Sequence, residues 1–202
     1  MLPSDFADQF PSAEVRATDI SPIQPSLVPP NLRFEIDDAQ LEFIGAPNSF
    51  DFVHIRELFG SIRDWRKLYF EVFRATKPGG WFEHVETDVH IRSEDGSVGT
   101  GHVLFDWATL FLKSGVKSGV TFDVAGKTKR WMEDAGFVNV TEKKYKVPIG
   151  GWSSDSKLKE VGRWNLLFYR EDLEGFALYV LMERMKVCRI LFAINNRKPE
   201  LY

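Results

Sequence analysis

Phe50-Asp-Phe-Val-His-Ile-Arg56, the stretch Asp64 to Thr76, Lys77-Pro-Gly-Gly80 and Trp81-Phe-Glu-His-Val-Glu86 together decide how this chain folds. The first segment is apolar, partly β-branched and introduced by Pro47-Asn48-Ser49, which reads as turn then strand. Residues 64–76 read as a helix. Lys77 to Gly80 reads as a tight turn and Trp81 to Glu86 as a further strand. Strand, helix and strand in that order make a crossover unit with parallel pairing.

The same alternation extends upstream. Leu2 to Phe10 reads as helix, with Phe6 and Phe10 one turn apart on a single face, and Pro11 stops it. Glu14-Val-Arg-Ala-Thr-Asp19 and Asn31-Leu-Arg-Phe-Glu-Ile-Asp37 read as strands, each with an acid at its carboxyl end. The proline-rich Ser21 to Pro30 between them suits neither helix nor strand. The expected fold is α/β, with a mostly parallel sheet and helices on both faces. In a doubly wound sheet the glycine turn after the first strand lets the backbone approach a ligand. Here the first strand-like segment already reads as the second strand, so the expected sheet lacks its first.

Downstream, Gly96 to Gly101 is a glycine-rich turn. Gly99-Thr100-Gly101 follows a polar loop instead of a buried strand, which argues against a phosphate loop. His102 to Lys113 and Val124 to Ala135 read as helices. Phe137 to Val147 alternates apolar and polar residues and reads as a long, half-exposed antiparallel strand. Leu158 to Met185 is apolar at helical spacing, with an expected interruption near Glu171 to Gly175, and Val187 to Ile194 is a candidate last strand.

At 202 residues, with 44% apolar and 27% charged residues, the chain suits one globular domain over residues 1–202. A net charge of −3 leaves no basic footprint for nucleic acid. No apolar run approaches a membrane span, and no basic flank precedes an apolar run as in a signal peptide. The single cysteine, Cys188, excludes an internal disulfide and reads as a small core hydrophobe in a reducing compartment. A cytoplasmic protein is therefore expected. Aromatic residues reach 14%, including 17 Phe and 6 Trp, more than a core of this size ordinarily uses. An aromatic-lined pocket for an apolar small molecule is a natural use for the surplus.

The runs Ala17-Thr-Asp-Ile-Ser-Pro-Ile-Gln-Pro25, Val28-Pro-Pro-Asn-Leu-Arg-Phe34 and Asp37-Asp-Ala39 resemble the LaeA-like family of fungal class I methyltransferases, which use S-adenosylmethionine. Asn48 to Arg56, Lys77-Pro-Gly-Gly-Trp81 and Gly162-Arg-Trp-Asn-Leu166 continue the resemblance, which runs from about Asp5 to Met182. It implies a reduced Rossmann-like class I methyltransferase fold with its first strand missing. It also implies that Asp19 holds the cofactor's ribose hydroxyls, that Asp38 and Ala39 lie beside adenine, and that His54 and Arg56 face the reaction chamber. The sequence departs from the family at the absent first strand and glycine loop, and again after Met185, where a helix before the last strand is not evident. Sheet edges left by such a loss recruit other strands, so a homodimer is expected.

Losing the methionine-side loop places methyl transfer in question and makes Asp19, Asp38 and Ala39 vestigial if the cofactor is not used. The favoured expectation is a remodelled enzyme of secondary metabolism that needs no cofactor and promotes cyclisation of an apolar metabolite, in the manner of a pericyclase or Diels-Alderase. Such chemistry needs shape, aromatic walls and a donor to polarise a carbonyl. Trp107, Phe111, Trp152, Trp164, Phe168 and Tyr169 are the candidate walls, although Trp164 also fits a core stripe. His54, Arg56, His84 and His102 are the candidate donors, each with an ordinary structural alternative. Glu83, His84, Glu86, Asp88 and His90 lie close in sequence, but their spacing gives no clean ligand face and no metal is expected. The alternatives are an S-adenosylmethionine-dependent methyltransferase acting on a small molecule and a non-catalytic regulator.

Overall fold

The computed structural model describes residues 3–22, 24–42 and 46–178. The element order is α1 (Pro3–Gln9), β1 (Val15–Asp19), β2 (Leu32–Ile36), β3 (Phe50–Arg56), α2 (Trp65–Ala75), β4 (Thr76–Val85), α3 (Val103–Ser118), α4 (Thr128–Ala135) and α5 (Ser156–Leu178). The chain divides into two compact units. One comprises Met1–Ile55, Asp64–His84 and Trp131–Phe137, the other Arg56–Arg63, Val85–Arg130 and Val138–Tyr202.

In the first unit, β1 pairs with β2 in parallel, Val15 opposite Leu32 and Asp19 opposite Ile36. The two strands leave their acids side by side, and the Asp37 amide donates to the Asp19 carbonyl at 3.0 Å. Asn31 fastens this pair to the end of α1, its amide nitrogen donating to the carbonyls of Ala7, Phe10 and Ala13. β3 pairs with β4. Ser49 donates to Ala75 near one end and Glu57 to Val85 at the other, so this pair is parallel too. Among the described residues the sheet is thus two separate pairs, β1–β2 and β3–β4.

Helix α2 closes the β3–β4 crossover and carries the core of this unit. Its buried residues Trp65, Leu68, Tyr69, Val72 and Ala75 recur at helical spacing. Asp64 caps it, its carboxylate accepting the Lys67 amide at 2.9 Å, and the Thr76 hydroxyl closes the other end on the Val72 carbonyl at 2.7 Å. Tyr69 is completely buried. Its ring meets Phe82 edge-on, and Trp65 stacks on Trp131 with centroids 6.0 Å apart.

In the second unit, Phe111, Val120 and Phe122 form a buried cluster against which Phe59, Val89 and Trp107 pack. Helix α5 closes on the 148–151 loop through Gly162. The Gly162 carbonyl accepts the Gly150 amide at 2.9 Å, and Asn165 donates to the Pro148 carbonyl at 3.0 Å. A Cβ at residue 162 would overlap the Gly150 carbonyl oxygen, so the close approach requires glycine.

Several expectations are corrected. Lys77 to Gly80 is not a separate turn: β4 starts at Thr76 and runs through it. Pro78 lacks an amide donor but is tolerated in a strand of a two-stranded sheet, where every strand has a free edge. A Cβ on Gly80 would lie 2.9 Å from the Asp51 carbonyl of β3, so glycine is what lets β4 pass there. Phe137 to Val147 is not a strand: beyond α4 it forms no ladder. Alternation supplies a face but not a partner, and no described strand lies alongside. The expected helix from Val124 starts only at Thr128. α5 passes through Glu171 to Gly175 unbroken, and Trp164 stands 65% exposed on it instead of in a core. Val187 to Ile194 and Cys188 lie outside the described residues.

Candidate functional site

The second unit contains a cavity of about 160 Å³ lined by Glu57, Phe59, Thr87, Val89, Ile91, Trp107, Phe111, Asn165, Phe168 and Tyr169. Phe111 is the buried floor, while Glu57, Thr87 and Phe168 stand at the exposed rim. The rings pack in two groups, one carried by α3 and one by α5. Trp107 meets Phe111 at 5.1 Å between centroids, Phe111 meets Phe122 at 5.2 Å, and Phe168 meets Tyr169 edge-on at 5.9 Å.

Sequence places these groups through three elements. Trp107 and Phe111 are one turn apart on α3 and so share a face. Asn165, Phe168 and Tyr169 do the same on α5, one and two turns beyond the fixed contact at Gly162. Glu57 follows β3 directly, at its carboxyl end, the usual place for ligand groups in an α/β sheet.

The backbone at Glu57 is unusual. Its φ is 55°, the left-handed region that a residue with a Cβ enters at a cost of about 1 kcal/mol. Two bonds from the end of β4 hold it there: Val85 accepts the Glu57 amide at 3.1 Å, and a Glu86 carboxylate oxygen accepts the Leu58 amide at 2.8 Å. The reversal swings the Glu57 carboxylate to the Thr87 hydroxyl, which donates to it at 2.8 Å.

Tyr169 is the ionisable group at this site whose behaviour shifts. Burial, and then the negative charge of Glu57, hold its phenol above its ordinary value of 10.0. Both causes disfavour phenolate, so the folded state retains the proton through neutral pH and beyond. The stability that this contributes is present below the ordinary value and is lost as pH rises through the higher, folded one. In an absorbance titration at 295 nm, the difference between the parent and Tyr169→Phe should show a phenol ionising above pH 10. Glu57→Gln should move that ionisation down only in part, since burial is the larger cause. A Tyr169 titration at the ordinary value would contradict this placement.

Of the residues expected from sequence, Trp107, Phe111, Phe168 and Tyr169 come together here. Trp152 and Trp164 do not line the cavity, and both are largely exposed, at 75% and 65%. The expected donors lie elsewhere. His54 pairs with Glu83 at 2.9 Å and tilts against Phe52. Arg56 is exposed. His84 accepts or donates at Tyr69 Oη, 2.5 Å away, and stacks on Trp65 within the core of the first unit. His102 caps α3, its Nδ1 accepting the Leu104 amide at 3.2 Å. Glu57, Thr87 and Asn165 were not expected. The position of Glu57 at a strand's carboxyl end, the rule that singled out Asp19, was the available signal.

At the carboxyl ends of β1 and β2, Asp19 accepts the Ser21 amide at 2.8 Å, and Asp38 accepts the Gln40 amide at 2.9 Å. Each carboxylate is partly buried and has more acceptor capacity than one amide fills. The resemblance assigns these two acids, which follow adjoining parallel strands, and Ala39 beside the second, to the ribose and adenine of an adenosine group. Among the described residues no cluster of His, Cys, Asp and Glu has the arrangement to hold a metal ion. No described helix is long and apolar enough to cross a membrane.

Comparison with known proteins agrees with the fold. Residues 3–142 match the family model described as a methyltransferase domain. The chain is 34% identical over 179 residues to methyltransferase pytC of Aspergillus terreus, covering 88% of this chain and 55% of that protein. It is 33% identical over 173 residues to secondary metabolism regulator LAE1 of Cochliobolus heterostrophus, covering 85% and 56%. Protein-methionine methyltransferase laeA of Emericella nidulans is 29% identical over 176 residues, covering 86% and 47%. The chain spans about half the length of the curated relatives it matches. With its parallel strand pairs, its α2 crossover and this match over most of its length, the chain belongs to the methyltransferase-domain family, with LaeA-like proteins of fungal secondary metabolism among its relatives.

Proposed function

We propose that this chain serves fungal secondary metabolism by holding a compact apolar metabolite in the second unit's cavity and promoting a cyclisation that needs no cofactor. The observation that carries this is the cavity's make-up: five aromatic rings with a carboxylate, a hydroxyl, an amide and a phenol at defined places. A volume near 160 Å³ suits one ring or a folded segment of similar bulk, comparable to apolar cavities that take benzene. Aromatic walls fix the folded shape of a flexible substrate, and that restriction lowers the entropic part of the barrier. Tyr169, which keeps its proton, is the donor that would polarise a carbonyl. It replaces His54, Arg56, His84 and His102 in that role.

A second reading is methyl transfer to a small molecule, supported by Asp19 and Asp38 and by relatives named as methyltransferases. Asp19 would hold the ribose hydroxyls of S-adenosylmethionine, and Asp38 with Ala39 would hold its adenine edge. When bound, that cofactor supplies an electrophilic methyl group. The expectation of a homodimer is kept as part of the proposal, because each two-stranded sheet has unpaired edges among the described residues. A monomer in sedimentation equilibrium at micromolar concentration would remove it.

Two measurements on the purified chain decide between the readings. Titration with indole, a neutral ring, should give saturable binding that weakens in Trp107→Ala, and its absence would sink the ligand-site reading. Equilibrium dialysis with labelled S-adenosylmethionine should show little retention. A dissociation constant below about 100 μM, an affinity of roughly 5 kcal/mol or better, would instead establish cofactor use and favour methyl transfer.

A further inference from the structure

We infer that the metabolite held in this cavity carries a cationic head, a protonated or quaternary amine, recognised by Glu57 together with the aromatic wall. The inference rests on the ligand-site reading above and narrows it to a substrate class. Among the described residues the lining includes five aromatic residues, Phe59, Trp107, Phe111, Phe168 and Tyr169, one carboxylate, Glu57, and no lysine, arginine or histidine. Aromatic faces are the negative poles of their rings, and a cation within about 6 Å of a face is attracted to it. A neutral hydrocarbon draws no benefit from the carboxylate, and an anion would be repelled by both kinds of group.

The backbone points the same way. Glu57 holds a left-handed conformation, fixed by Val85 and Glu86, that keeps its carboxylate beside Thr87 at the rim. Strain maintained by flanking bonds, at the residue that gives the cavity its charge, is the pattern of a ligand clamp. Tyr169 strengthens it, because its phenol stays neutral and adds a ring face and a dipole without competing as an anion. The cavity's size limits the head to something compact, on the scale of a trimethylammonium or a small cyclic amine.

The test compares choline with dimethylbutanol, its uncharged carbon isostere, by calorimetric or NMR titration of the full chain. Choline should bind about tenfold more tightly, and Glu57→Gln should bring the two within about threefold of each other, as loss of one close charge predicts. Melting of Glu57→Gln checks that the fold persists. Phe168→Leu, at an exposed rim position, supplies a second variant: it should weaken choline severalfold and dimethylbutanol little. Equal affinities for the pair, or a preference unchanged in both variants, would overturn the cationic assignment while indole binding leaves the ligand site standing. If choline, dimethylbutanol and indole all fail to bind, the ligand-site reading falls with it.

Discussion

Gly162→Ala should lower the stability of the second unit by about 3 kcal/mol or more and weaken ligand binding at the cavity in the same step. The added methyl group would overlap the Gly150 carbonyl and lie 3.2 Å from Pro148 Cβ. Neither is the mobile end of a side chain, so α5 or the 148–151 loop has to move. Overpacking of this kind ordinarily costs about 1–3 kcal/mol, and here the hydrogen bond from Gly150 to Gly162 is lost as well. Because Asn165, Phe168 and Tyr169 follow on the same helix, displacement of α5 also displaces one wall of the cavity. Urea unfolding of the variant and indole titration under folding conditions measure the two effects. A variant with unchanged midpoint and unchanged binding would mean that the loop yields freely and that the glycine contact does not position α5.

Tyr69→Ala should cost the first unit about 4 kcal/mol, in the range for truncating a fully buried large ring. It removes ring contacts to Phe82, Trp65 and Trp131 and the hydrogen bond to His84 at 2.5 Å. Tyr69→Phe separates the two contributions. It keeps the ring but removes the hydrogen bond to His84, so about 1 kcal/mol should be lost. Denaturant midpoints for the pair, with near-ultraviolet circular dichroism reporting on the packed rings, distinguish packing from hydrogen bonding. If Tyr69→Phe cost as much as Tyr69→Ala, the hydrogen bond and not the ring would hold this core.

The elements readable from sequence were those specified by neighbours in the chain. α2 lies between its expected ends because Asp64 and Thr76 are caps within one turn of the apolar stripe they close. β1, β2 and β3 follow from short alternating, β-prone runs separated by proline-, asparagine- and serine-bearing loops. Distant partners decided the rest. Lys77-Pro-Gly-Gly80 looks like a turn locally, yet it runs as strand because β3 lies beside it and Gly80 permits the approach. Phe137 to Val147 has strand alternation but no described strand to pair with, and alternation alone cannot supply hydrogen bonds.

The site divides along the same line. Trp107 and Phe111 are legible together because i,i+4 spacing puts them on one helix surface, and Phe168 and Tyr169 each share a face of α5 with Asn165 at i+3 and i+4. The chemistry of histidine suggests a donor, but position governs its use: His84 is part of an aromatic core and His102 is a helix cap. The place of Glu57 is not legible in the sequence, because it depends on a backbone angle that two residues some 28 positions further along the chain impose.

That angle has an evolutionary consequence. Glycine would relax the backbone at position 57, while glutamate supplies the charge, so the substitution that most easily steadies the fold is also the one that empties the site of its carboxylate. If Glu57 recognises a ligand as proposed, backbone relaxation and recognition place opposite demands on position 57. Among relatives, glycine at this position would mark lineages that have given up the ligand, and a retained acid would mark those still under pressure to bind it.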